Sequence, residues 1–105
     1  MSNLVEFEWY RGDRLCSYVL INRSTGTVEV RDFTGNVIEQ FLGMRPRTIE
    51  SVYNVFESRC FDRARPDADE LLHGIGLTQY DPFGICLVTE GRKWGDDYWI
   101  KWIQK

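Results

Sequence analysis

A chain of 105 residues, 43% hydrophobic and 14% aromatic, is enough for one domain with a real core and too short for a second. Sixteen acids against 13 bases leave a net charge of −3, which excludes a charged polymer and gives no general attraction to nucleic acid or anionic membrane. Cys16, Cys60 and Cys86 form no CxxC pair and only one histidine is present, so no zinc site is expected; such cysteines read as small buried hydrophobes in a reducing cytoplasm.

Met1-Ser2-Asn3-Leu4 lacks a basic region and a long apolar run, so no secretion signal is expected at this end. No stretch reaches the ~18 apolar residues of a membrane span. Val5, Phe7 and Trp9 then alternate with Glu6, Glu8 and Tyr10, the period-two signature of a half-buried strand. Gly12-Asp13 turns the chain into a second strand over residues 15–22. Ser24-Thr25-Gly26 ends that strand, and a third covers 27–31. After the Thr34-Gly35-Asn36 turn, the apolar piece 37–41 reads as a short fourth strand. The adhesion-like Arg11-Gly12-Asp13 and the glycosylation-like Asn22-Arg23-Ser24 are both accounted for by turn chemistry.

The character changes at Pro46. Thr48 is an N-cap, and Ile49, Val52, Tyr53 and Phe56 form one apolar stripe on a helix of about three turns. A charged connector over 62–66 leads to Asp67, which with Glu70 makes a capping-box variant for a short helix burying Leu71, Leu72 and Ile75. Residues 85–89 have strand composition. Asp81 at the cap, Pro82 at the first position and Gly91 beyond the end nevertheless favour a helix. A last strand covers 98–103 and closes the sheet. The expected architecture is a single α+β domain of order β-β-β-(β)-α-α-α-β, its helices packed on one face of an antiparallel sheet.

Few residues suggest chemistry. His73, between Leu72 and Gly74, has no nucleophile motif beside it and reads as a helix-end residue suited to the helix dipole. Asp96 and Asp97 do not converge on one ion if they lie in a strand, because adjacent side chains point to opposite faces. No catalytic residue, cofactor site or metal site is therefore expected. Arg45, Arg47, Arg63 and Arg65 make the most basic stretch and are the residues a nucleic-acid phosphate would meet. Glu50, Glu57, Asp62, Asp67 and Asp69 dilute that charge. Arg59 in the same stretch is expected to be half-buried and paired with an acid such as Asp97.

Three of the four tryptophans, Trp94, Trp99 and Trp102, crowd the end of the chain beside Asp96 and Asp97. Aromatic side chains dominate both cores and interfaces, so this segment either closes the fold or binds a partner. On a strand, Tyr98, Ile100 and Trp102 share one face and Trp99, Lys101 and Ile103 the other. The second face and the turn before it are the candidate patch, with Trp94, Asp96, Asp97 and Trp99 as contact residues.

Arg59-Cys60-Phe61, Arg65, Gly76-Leu77, Tyr80-Asp81-Pro82-Phe83, Thr89-Glu90-Gly91 and Asp97-Tyr98-Trp99-Ile100-Lys101 together resemble short uncharacterised proteins of Firmicutes and their mobile elements. The same stretch, residues 59–101, resembles segments that precede HipA-like toxin kinases. No glycine-rich phosphate loop or catalytic Asp-Asn pair accompanies it. What the resemblance implies is a stand-alone regulator or inhibitor of a bacterial protein, such as a nuclease or kinase. An antitoxin-like protein, or a phage anti-defence inhibitor of the anti-CRISPR kind, suits that profile. The sequence expectation is thus a non-catalytic, cytoplasmic protein-interaction module, and the alternative is a nucleic-acid-binding domain using the region 45–65.

Overall fold

Alternation along the first third of the chain becomes an antiparallel sheet in the computed structural model, which describes residues 3–104. Met1 and Ser2, part of the N-terminal stretch read above, lie outside the described residues. Strands β1 (Leu4–Arg11), β2 (Arg14–Asn22), β3 (Thr27–Asp32) and β4 (Tyr98–Gln104) are arranged in the order β3-β2-β1-β4. The C-terminal strand therefore returns to pair with the N-terminal one: Phe7 faces Val19 on one side and Trp102 on the other, and Trp9 faces Ser17 and Ile100. Val5, Phe7, Trp9, Cys16, Val19, Ile21 and Ile100 form the buried face.

Helices α1 (Ile49–Ser58), α2 (Ala68–Gly74) and α3 (Pro82–Thr89) follow, making the domain α+β. α1 begins where Thr48 accepts a hydrogen bond from Ser51 N at 3.1 Å, and its stripe lays Val52, Val55 and Phe56 on the sheet. Tyr53 sits at the edge of that stripe, exposed but stacked on Phe83 with ring centroids 6.3 Å apart. The contest between helix and strand after residue 81 is decided by the caps. Asp81 accepts from Phe83 N at 3.2 Å, Pro82 occupies the first turn, and Glu90 ends the helix in the left-handed region at φ +59°. Phe83 and Cys86 of α3 then join the core beside α1.

Two local expectations fail for the same reason: a polar group finds a different partner. Residues 37–41 form turns instead of a strand. Phe41 N donates to Ser17 Oγ at 3.0 Å, and Trp9 Nε1 to Glu39 O at 3.2 Å, so this backbone is satisfied without a ladder. Phe41 and Leu42 are buried all the same. Asp67 does not cap α2, because its carboxylate takes the Arg65 fork at 2.9 and 3.0 Å.

Around Phe7 the core is aromatic. Its ring lies 5.1 Å from Phe41, 5.6 Å from Phe56 and 5.1 Å from Trp102. Such tilted and edge contacts add about 0.5–1.5 kcal/mol each beyond area burial. Trp102 is also tied to α3, its Nε1 donating to Cys86 O at 3.0 Å. Glu39 is a buried carboxylate that the sequence pattern did not flag; it is held by Arg11, Arg14 and Thr34 Oγ1. Among the described residues, no helix is long and apolar enough to cross a membrane.

Candidate partner-binding site

Between α3 and β4 the chain makes a turn whose ends are tied down and whose middle is bare. Gly91 begins it at φ +63°, a conformation that favours glycine, and a Cβ there would lie 2.9 Å from Ile100 Cδ1 and push that side chain aside. Ile100 N donates to Glu90 O at 2.7 Å, clamping the turn's base to the sheet.

Arg59, the residue after α1, organises the rest. Its side chain is only 9% exposed. Nε donates to Gly91 O at 2.8 Å, Nη1 and Nη2 to the two Asp96 oxygens at 2.8 and 2.7 Å, and Nη2 also to Tyr98 O at 3.2 Å. The guanidinium lies over the Trp9 ring, 5.3 Å from its centroid. The Arg59 fork holds the Asp96 carboxyl below the usual carboxylate range, helped by a hydrogen bond from Tyr98 N at 3.1 Å. Lys93 adds a further tie, its Nζ donating to Ser58 O at 3.1 Å.

Trp94 stands in the middle of this clamped turn, 99% exposed. An indole left in water on a turn that several bonds immobilise is unlike a core residue in every respect. It borders a hollow of about 320 Å³ whose walls include Cys60, Phe61, Arg92 and Lys93. Asp96 and Tyr98 also border a cavity of about 670 Å³, lined by Trp9, Ile38, Phe41, Met44 and Arg59. There Met44 is 91% and Ile38 86% exposed. Sequence reading missed Ile38 and Met44. Ile38 lay in the piece read as a strand, and Met44 was one apolar residue in a turn.

The four expected contact residues play different parts. Trp94 is free, while Asp96 is committed to Arg59. Asp97 is exposed, and its backbone oxygen accepts from Gly12 N at 2.8 Å, which continues the β1–β4 pairing. The pair expected between Arg59 and Asp97 therefore forms one residue earlier, with Asp96, because the main chain at Asp97 already belongs to the sheet end. Trp99 is half-buried on the uncovered sheet face. It stacks on Tyr10 with centroids 4.9 Å apart, carries Arg92 over its ring at 4.6 Å and donates from Nε1 to Gly12 O at 2.7 Å.

On that same face Tyr18 bonds the Glu6 carboxylate. The hydrogen bond, reinforced by burial, pushes the phenol up to about 12.

The basic stretch does not gather. Arg47 pairs with Asp32 at 3.2 Å, Arg65 with Asp67 at 2.9 Å, and Arg63 lies 4.6 Å over the Tyr80 ring. Arg63, Arg65 and Lys93 share a hollow with Glu57 and Asp62, whereas Arg45 lines the Ile38–Met44 cavity. His73 is exposed on the last turn of α2.

No family model, curated protein or solved structure matches this chain.

Proposed function

We propose that this domain is a non-catalytic protein-interaction module that regulates or inhibits a bacterial partner, engaging it through the turn that carries Trp94. The observation that supports this most is the combination at that turn: a fully exposed indole on a backbone tied by Arg59, Asp96 and Lys93. Tryptophan is the residue most enriched among binding hot spots. A turn already held rigid loses little entropy when it docks. Ile38 and Met44, exposed beside the cavity that Asp96 borders, supply further apolar contact, and Asp97 supplies charge at the rim.

On this reading Trp99 stiffens the sheet face next to the turn and is a secondary contact. The partner class, a nuclease or kinase in the bacterial cytoplasm, follows from the resemblance of residues 59–101 to mobile-element proteins. Nucleic-acid binding gains little support, since Arg47 and Arg65 are each neutralised by a carboxylate and Arg45 lines a separate cavity.

The test is a comparison of two baits, wild type and Trp94→Ala, used to capture proteins from a bacterial lysate, with circular dichroism on both. A protein held by the wild type and lost with Trp94→Ala, while the spectra stay superimposable, supports the proposal. Identical captured sets from two folded baits remove Trp94 from the interface and the proposal with it.

A further inference from the structure

Cys60 and Cys86 bring their sulfurs to one backbone oxygen. Cys60, just past the end of α1, places Sγ 3.1 Å from Phe56 O; Cys86, in the middle of α3, places its Sγ 3.5 Å from the same atom. Cys60 Sγ also lies 3.7 Å from Pro82 O at the start of α3. Helices α1 and α3 pack directly on each other, so the two thiols share one carbonyl oxygen at the α1–α3 seam.

Access differs between them. Cys86 is fully buried, whereas Cys60 is half-buried and lines two hollows of about 320 and 530 Å³. Both hollows also receive Arg65 and Lys93.

The geometry points to Cys60 and Cys86 as a redox-modification site that takes a hydroperoxide as co-substrate and closes to a disulfide joining α1 to α3. Cys60 is the sulfur that reacts first. The Cys86 thiol beside it, able to donate to a Cys60 thiolate, pulls Cys60 below the ordinary thiol range, against its burial and the charges of Glu57 and Asp81. The same contact, with burial, pushes Cys86 up. When Cys60 loses its proton, the Cys86 S–H can turn from Phe56 O to the new thiolate.

The thiolate attacks one oxygen of hydrogen peroxide and the O–O bond breaks. Hydroxide leaves and takes up a proton, and Cys60 becomes a sulfenic acid. Cys86 sulfur then attacks Cys60 sulfur, and the S–S bond forms as the S–O bond breaks. The Cys86 proton departs with the hydroxyl as water. Two thiols have given up two electrons and one peroxide has become two waters. A small dithiol reverses the step by exchange.

The experiment exposes the reduced full chain to hydrogen peroxide under native conditions, followed by alkylation, intact mass and peptide mapping. The three free cysteines should fall to one alkylatable thiol, Cys16, with a linked Cys60–Cys86 peptide that dithiothreitol releases. Cys16 serves as the internal control, since it is buried on β2 with Sγ 3.6 Å from Arg14 O. Cys86→Ser should leave a Cys60 sulfenic acid that dimedone captures, and Cys16→Ser should cross-link as the wild type does. The proposal is overturned if all three thiols survive a peroxide dose that oxidises a free small dithiol. It is equally overturned if wild-type Cys60 passes to the sulfinic acid without cross-linking, or if Cys16 enters the bridge.

Discussion

Replacing Arg59 by alanine tests whether one side chain holds the Trp94 turn to the body of the domain. The substitution removes four donated hydrogen bonds: two to the backbone oxygens of Gly91 and Tyr98, and two to Asp96. Each backbone bond from a charged donor contributes about 1 kcal/mol net at this partly buried position. Asp96 is one-third exposed and regains water when its partner is lost, so the ion pair adds only about 1 kcal/mol. Lost packing over Trp9 is worth roughly 0.5 kcal/mol more.

The total is about 3.5 kcal/mol, a large part of the ~5–15 kcal/mol that stabilises a small domain. At roughly 4–8 °C per kcal/mol for a chain near this size, the thermal midpoint should fall by about 14–28 °C. Differential scanning calorimetry measures it. Asp96→Asn alone should cost about 1 kcal/mol, and the double-mutant cycle should return a coupling of similar size. A midpoint for Arg59→Ala within about 4 °C of wild type, or a coupling indistinguishable from zero, would refute the assignment of Arg59 as the turn's anchor.

Asp96 has its folded pKa depressed, so its contribution is complete above the unfolded value near 3.8 and is lost as pH falls through the folded one. Acid unfolding followed by tryptophan fluorescence should therefore show a shallower loss of stability below pH 3.8 in Asp96→Asn than in wild type. Trp94→Ala should leave stability within about 0.5 kcal/mol of wild type, whereas Trp102→Phe, which loses core volume and the bond to Cys86 O, should cost about 2 kcal/mol. Urea denaturation separates the two, and a large cost at Trp94 would mean that its ring packs against the domain after all. Tyr18 should ionise near 12, later than an ordinary tyrosine, in an ultraviolet titration. Because its folded pKa is raised, the stability it supplies is present below pH 10.0 and fades as pH rises toward 12. Glu6→Gln should return Tyr18 toward the ordinary value; an unchanged titration would disprove the Glu6 hydrogen bond as the cause.

Much of the fold was legible because its signals are local. Val5, Phe7 and Trp9 carry period two, and Thr48 with its stripe and Asp81-Pro82 carry caps, and each of these acts over a few residues. The misreadings occur where a local signal met a distant partner. Residues 37–41 have strand composition, but Ser17 and Trp9 reach across from β2 and β1 to bond their backbone. Asp67 has the right spacing to cap α2, and the Arg65 side chain takes its carboxylate instead. Glu39, between Ile38 and Gln40, looks like a surface acid. Only the return of the loop beside Arg11 and Arg14 buries it.

The crowd of tryptophans near the C-terminus shows the division most plainly. Alternation alone places Trp102 and Trp99 on opposite faces of the last strand, because strand side chains have period two whatever surrounds them. Which face is the core depends on α1 and α3 closing over Trp102, and whether the other face is free depends on Tyr10 and Arg92 meeting Trp99. Trp94 has no periodicity to read. Its exposure was decided by Arg59, 35 residues earlier in the sequence, reaching Gly91, Asp96 and Tyr98 and holding the turn away from the core. Local pattern therefore determined the elements and their faces. Contacts between residues far apart in the chain decided which aromatic ring was left in water.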